Sequence, residues 1–202
     1  MPRSALYNRE DALQKAVNLF WQRGFYATSL KDIERALDMR PGSLYAAFGN
    51  KQGLFNAAID TYAGATQTEI KDFIEREGQV IVGLMAYLRW LLIDTPHEGP
   101  AACMVVKTLL ESTDNSDVLH QKAVLILQQL EAYFAEVLHL AKAQGELVET
   151  VDCERLARLL QTQIMGARAF AHSNQDPQQI GSLLDDIEMI FAPYQTANHS
   201  PH

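Results

Sequence analysis

The stretch from Thr28 to Leu54, TSLKDIERALDMRPGSLYAAFGNKQGL, constrains this chain more than any other. It holds two short helical patterns joined by a tight turn, and a third pattern opens at Lys51. Ser29, with Asp32 three residues on, has the form of a capping pair at a helix start. Ile33, Ala36 and Leu37 give that helix one buried side. Asp38-Met39-Arg40 make the turn, and Pro41 suits the first turn of the next helix, where its missing N–H has no helical partner. Leu44, Tyr45 and Phe48 form the apolar or interface face of that third helix, which Gly49-Asn50 end. A turn of about three or four residues between the second and third of three short helices is the spacing of a helix-turn-helix head. Many small helical bundles share this spacing, so it does not name a function by itself.

The flanking sequence is helical too. Leu13, Ala16, Val17 and Phe20 recur at i, i+3, i+4 and i+7, one face of a helix over Asn8 to Arg23. Asn8 is its expected N-cap, Glu10 and Asp11 suit its first turn, and Gly24 stops it. A long fourth helix runs from Lys51 to about Arg76, with Leu54, Phe55, Ala58, Ile59 and Tyr62 as its stripe. Val80 to Ile93 is almost continuously apolar and reads as a helix buried on most sides. Residues 94–100 are the clearest loop. Helices are then expected over Ala101–Leu110, Val118–Ala143, Cys153–His172 and from Pro177 to near Ala192, before a disordered tail over residues 194–202. The fold class is all-α, about nine helices with no convincing strand. A three-helix head over residues 1–52 (motif about 29–48) precedes a larger helical body over residues 53–193, which the family resemblance given below makes a DNA-binding head on a ligand-binding and dimerisation domain.

Net charge is −8, which argues against a nucleic-acid partner until its distribution is read. Residues 1–52 carry eight basic and five acidic side chains, a balance of +3, whereas the remainder carries −11. A mildly basic head on an acidic body suits a small DNA-binding module joined to a domain with another task. The N-terminus lacks a signal-peptide core, and no apolar run approaches the roughly 20 residues that span a bilayer. A cytoplasmic chain with no membrane partner is expected, its two cysteines, Cys103 and Cys153, being thiols rather than a disulfide.

The residue details of the opening stretch resemble the tetracycline-repressor (TetR) family of bacterial transcription regulators. That family's pattern runs Gly, then Thr-Thr or Thr-Ser, Ile-Ala, Ala-Gly-Val, Gly-Ser-Leu-Tyr-x-x-Phe and Lys-Glu-x-Leu. Gly24, Thr28-Ser29, Ile33, Ala36, Met39, Gly42-Ser43-Leu44-Tyr45, Phe48, Lys51 and Leu54 stand at the matching places, over roughly residues 8 to 60. Glu34, Leu37-Asp38 and Gln52-Gly53 depart from it. Asp38 replaces a glycine, so a left-handed residue is expected there, which Asp tolerates better than most.

The resemblance implies roles. Thr28, beside Ser29 at the start of the second helix, meets a phosphate or is only an N-cap. Tyr45 meets a phosphate through its hydroxyl or is a core aromatic, and Lys51 meets one by charge. Arg40, Pro41, Gly42 and Ser43 are placed at base edges. Arg40 reads guanine by two hydrogen bonds or contacts only the backbone, and Gly42 lets the helix approach closely. Ile33, Leu44 and Phe48 read as core. The implied protein is a homodimeric repressor of a near-palindromic double-stranded operator, released by a small-molecule effector or an electrophile. Its last two long helices, with Gly166, Ala167, Ala169 and Ala171, form the dimer contact.

Ligand chemistry is less legible. Cys103 is either a reactive thiol, with Lys107 one turn away favouring thiolate, or a buried inert one. Met85, Tyr87, Trp90, Met104, Phe134, Met165 and Phe170 line a pocket or are simply core. Arg89 and Arg168 meet an anionic ligand or a carboxylate such as Glu111. His97, His120, His139 and His172 are scattered, without a metal-ligand pair, so neither metal nor cofactor is expected. The chain has no Gly-rich phosphate loop and no G-x-S-x-G elbow, so an enzyme is not expected. The other reading is a helical dimeric scaffold without operator binding.

Overall fold

The structure is a computed structural model that describes residues 8–95, 102–112, 114, 116–174 and 176–196. Nine α-helices occur in chain order among them: α1 Arg9–Arg23, α2 Leu30–Leu37, α3 Pro41–Phe48, α4 Lys51–Glu77, α5 Val80–Arg89, α6 Met104–Glu111, α7 Val118–Ala143, α8 Cys153–Ser173 and α9 Pro177–Glu188. A π-helical turn, Trp90–Asp94, continues α5, and a 3₁₀ turn, Ala192–Tyr194, follows α9. No strand occurs among the described residues, only an isolated bridge between Leu147 and Gln195. The all-α expectation stands.

Local chemistry sets most of these boundaries. The Asn8 side chain accepts from the N–H groups of Glu10 and Asp11, and Gly24 ends α1 at φ 80°. That backbone conformation is open chiefly to glycine. Asp152 and Asp176 cap α8 and α9, with Pro177 in the first turn of the latter. The expected helix over Ala101–Leu110 is Met104–Glu111; Ala101, most of the 94–100 loop including His97, Arg3, and the tail beyond Thr196 lie outside the described residues. The single helix expected over Val80–Ile93 is instead α-helix followed by a π turn, and Val82 and Arg89 on it are exposed.

The chain packs as two compact units. The described residues up to Ala65 form one with Met104–Val124; Thr66–Cys103 form the other with the residues from Leu125 on. The division therefore falls inside α4 and α7, not at residue 52, and α6 packs with the head.

In the first unit Ala16, Phe20, Ile33, Leu37, Leu44, Leu54, Phe55 and Ile59 are buried. Phe55 meets both Phe20 and Phe25 edge-on, each at 5.1 Å between centroids, a favoured aromatic geometry. In the second unit a continuous core joins Ile70, Leu84, Leu88, Leu138, Leu160, Leu184 and Phe191. A Cβ on Gly83 would stand 2.5 Å from Ile74 Cα, so α4 and α5 cross too closely there for any larger residue. Glu146, between α7 and α8, is 3% exposed. Its carboxylate accepts from the N–H groups of Val80 (2.7 Å) and Ile81 (2.9 Å) and so caps α5 from 65 residues away.

By length and composition α7 is apolar enough to cross a bilayer, contrary to the sequence expectation. Phe134, Val137, Leu138 and Ala141 of α7 lie in the second unit's core, which accounts for that composition.

Candidate nucleic-acid interface

The turn between α2 and α3 places the candidate reading helix. Ser29 and Asp32 form a complete capping box. Asp32 N–H donates to Ser29 Oγ (3.2 Å), and the N–H and hydroxyl of Ser29 donate to Asp32 Oδ2 at 2.9 and 2.6 Å. Arg23, in the last turn of α1, pairs with Asp32 Oδ1 at 2.9 Å. The Ser29 hydroxyl first, then its N–H and Arg23, hold the Asp32 carboxyl below the ordinary carboxylate range. Asp38 ends α2 at φ 52°, ψ 44°, the left-handed conformation expected there, and both Asp38 and Met39 donate N–H to Glu34 O.

Arg40 is then extended, as the N-cap of α3, and Pro41 occupies the first turn. Leu44 is the buried residue of α3. Arg40, Pro41, Gly42, Ser43, Tyr45 and Ala46 are all exposed and form one surface. Tyr45 is 45% exposed, which removes the core-aromatic alternative. A Cβ on Gly42 would meet nothing within 4 Å. The packing of the unit therefore does not require glycine there, although glycine in a helix costs about 1 kcal/mol against alanine. Phe48, expected as core, is half-buried and carries the Arg9 guanidinium over its ring at 5.5 Å.

Lys51 opens α4 with its ammonium 4.2 Å from the centroid of the Phe25 ring. Partial burial pushes the Lys51 pKa down. Asn50 caps this helix through Gly53 N–H (2.8 Å). A Cβ on Gly53 would stand 2.1 Å from Phe48 O, so the close approach of α3's end calls for glycine at this position.

Thr28 needs correction. It is 1% exposed, and its hydroxyl donates to Gly24 O at 2.6 Å. A hydroxyl committed in this way has no proton to give a phosphate, so Thr28 pins the corner between α1 and α2, and the cap of α2 is Ser29.

Of the candidate sensing residues, Lys107 serves the end of α1. Its ammonium donates to Trp21 O (3.1 Å) and Gln22 O (2.8 Å) in the last turn of α1 and pairs with Glu111 at 3.8 Å. Lys107 belongs to the first unit, whereas Cys103 falls in the second. Glu111 is thereby the partner of Lys107, not of Arg89 or Arg168. Arg89 is exposed, and Arg168 acts on the half-buried Glu69, whose pKa is raised by burial first. Trp90 stacks at a tilt with Phe73 (5.8 Å) and Tyr87 (6.0 Å) against the core. Cys103 is half-buried, and Cys153 is buried, with desolvation raising its thiol pKa.

An open cleft of about 410 Å³ lies beside Tyr26, Glu111, Asp114 and Asp117, of which the sequence reading named only Glu111. Tyr26 merely follows a helix stop, and its partner lies 91 residues on. No group of His, Cys, Asp or Glu side chains suited to a metal ion occurs among the described residues.

A capped second helix, a left-handed turn and a third helix with its first residues exposed define the helix-turn-helix class of DNA-binding regulators. Residues 12–58 match the family described as bacterial regulatory proteins, tetR family, and residues 84–186 match the tetracyclin repressor-like C-terminal domain. The chain belongs to the tetR family and is a DNA-binding transcriptional regulator of that family. It is similar to the HTH-type transcriptional repressor ComR of Escherichia coli, 32% identical over 171 residues, covering 81% of this chain and 79% of ComR. It is also similar to a cysteine mutant of the TetR family regulator CifR, solved in complex with a 26-base-pair double-strand operator. The TM-score is 0.78 at 30% identity, covering 96% of this chain and 99% of that one. A TetR-family regulator of Cytophaga hutchinsonii shares the fold at TM-score 0.80 and 19% identity, covering 93% and 94%.

Proposed function

We propose that the protein is a homodimeric cytoplasmic repressor whose heads bind two half-sites of a near-palindromic operator. The observation that supports this reading best is the exposed start of α3, where Gly42 has no internal reason to be glycine. A helix whose first turn lies against base edges accounts for it: Gly42 brings the backbone close, Arg40 reaches guanine O6 and N7, and Ser43 reaches either base type. Tyr45 meets a phosphate by a hydrogen bond and Lys51 by charge, while Ser29, whose hydroxyl and N–H both donate to Asp32, fixes the start of α2 beside them.

Two heads of a dimer engage major grooves about 34 Å apart. Dimer contact is assigned to the exposed side of α8 and α9, which includes Leu159, Gly166, Ala169, Phe170 and Met189, the last 69% exposed. Ala167 and Ala171, with which they alternate, are core residues of the subunit. Repression is the action named for ComR and is carried to this chain on that likeness. Release requires an effector that disfavours the DNA-binding state by a few kcal/mol. A small molecule held by the second unit, or modification of the half-buried Cys103, would supply it; Cys103→Ser with its full response to oxidant intact removes the thiol route.

The test is anisotropy titration of the dimer on genomic fragments selected by the protein, at several salt concentrations. Tyr45→Phe and Lys51→Ala should weaken binding to every sequence, and Lys51→Ala should lower the salt slope by about one. Arg40→Ala should change sequence preference. A uniform loss from Arg40→Ala removes its base-reading role, and the absence of any salt-dependent, sequence-specific binding favours the scaffold reading.

A further inference from the structure

The corner between α1 and α2 is held from outside the helix-turn-helix by the α6–α7 segment. Lys107 on α6 donates to the carbonyls of Trp21 and Gln22 at 3.1 and 2.8 Å. A cation placed there satisfies the last carbonyls of α1 and faces the negative end of its dipole. One turn on, the Glu111 carboxylate packs on Gly24, where a Cβ would stand 2.1 Å from it. The Tyr26 hydroxyl donates to Asp117 Oδ2. Asp117 also accepts from Leu119 N–H (3.0 Å), capping α7, and from Ser112 Oγ (3.1 Å). These contacts join residues 85 to 91 positions apart, all within the first unit.

The corner they hold is where the DNA-facing groups originate. Gly24 already closes α1 through its own N–H to Phe20 O at 2.8 Å, so α1 does not need Lys107 to end. Phe25, the next residue, carries Lys51, and Thr28 and Ser29 start α2. We propose that Lys107 and Asp117 are positioning residues for operator binding: they set the α1–α2 corner, and with it Lys51 and the start of α2, from α6 and the start of α7. The inference rests on the reading that the head binds operator DNA.

The experiment titrates the full chain against a duplex operator fragment selected from genomic DNA, well below the melting temperature, across a salt series. Lys107→Met and Asp117→Asn should each weaken binding about fivefold or more, a typical coupling between sites. The salt slope should fall no further than it does in Lys51→Met, because the phosphate charge these variants disturb is that of Lys51. Lys107→Arg should restore binding. Tyr26→Phe, which removes one hydroxyl and is the mildest change, should reproduce Asp117→Asn, and the pair should be non-additive. Wild-type affinity in Lys107→Met and in Tyr26→Phe overturns the proposal even if Asp117→Asn fails to fold. A Lys107→Met, Lys51→Met double variant whose salt slope falls by about one below that of Lys51→Met alone overturns it differently, by making Lys107 a direct phosphate contact. Failure of the wild-type chain to bind any selected duplex overturns the operator reading itself, and this proposal with it.

Discussion

The Lys51 ammonium lies 4.2 Å from the centroid of the Phe25 ring, at the first residue of α4. A cation at a helix N-terminus opposes the dipole by about 0.3–1 kcal/mol. The ring face recovers about 0.5–1 kcal/mol of this at a partly exposed site. The pair is close to neutral for folding, and under the operator-binding proposal it presents a fixed charge to a phosphate. Phe25→Leu is therefore expected to weaken operator binding and lower the salt slope together, as Lys51→Met does, with the double variant little worse than either. Additive losses in that cycle, measured by anisotropy, would remove Phe25 from the DNA-binding machinery.

Asp38 is the one described non-glycine residue with positive φ, at 52°. Left-handed backbone costs an ordinary residue about 1–2 kcal/mol, less for Asp. Asp38→Gly is expected to raise the unfolding free energy by about 0.5–1 kcal/mol, the gain in the folded turn being partly offset by the freer unfolded chain. Urea denaturation with an unchanged m-value measures it. A loss of stability would show that the Asp38 side chain makes a compensating contact.

Glu146 closes the start of α5 with two hydrogen bonds while itself buried. Glu146→Ala leaves two buried N–H groups without an acceptor and is expected to cost about 2–4 kcal/mol. Glu146→Gln keeps one acceptor oxygen and should fall between. Equal stabilities for all three proteins in denaturant titration would contradict the capping role.

Acid should destabilise the fold through identifiable groups. Asp117 is held below the ordinary carboxylate range by the Tyr26 hydroxyl first, Asp32 by the Ser29 hydroxyl, Asp114 by Ser116 N–H and Glu154 by His139. A carboxyl whose folded pKa is depressed stabilises the fold above its unfolded pKa, and that contribution is lost as pH falls through the lower folded value. Glu69, raised by burial, acts in the opposite sense. The melting temperature is expected to drop as pH falls below about 4, where unfolded carboxylates take up protons. Asp117→Asn should reduce that dependence, and an unchanged acid limb in this variant would exclude the Tyr26–Asp117 bond as a contributor.

Much of the head was legible because its signals are local. Asn8, Ser29 with Asp32, Gly24, Asp38 and Pro41 each act within one helical turn, so residue type and spacing suffice to place them. The exposed run Arg40–Ser43 with Tyr45 also follows from register, since one face of a short helix holds Leu44 in the core. The phosphate role of Thr28 came from the family resemblance and its place at a helix start, whereas only the packed corner shows its hydroxyl turned onto Gly24 O.

The sequence by itself determined the all-α class, the helix boundaries near their caps and which residues lie exposed at the start of α3, because backbone preference and hydrophobic period are properties of neighbouring residues. Tertiary structure alone decided that Lys107 serves the end of α1, that Glu146 caps α5, that Gly83 admits Ile74, and that α6 belongs with the head. Those partners are brought together by chain segments far apart in sequence, except Gly83 and Ile74 across the turn from α4 to α5. Such pairings leave no periodic trace in either segment, and the charge or small side chain that makes each contact is compatible with many others until packing selects one.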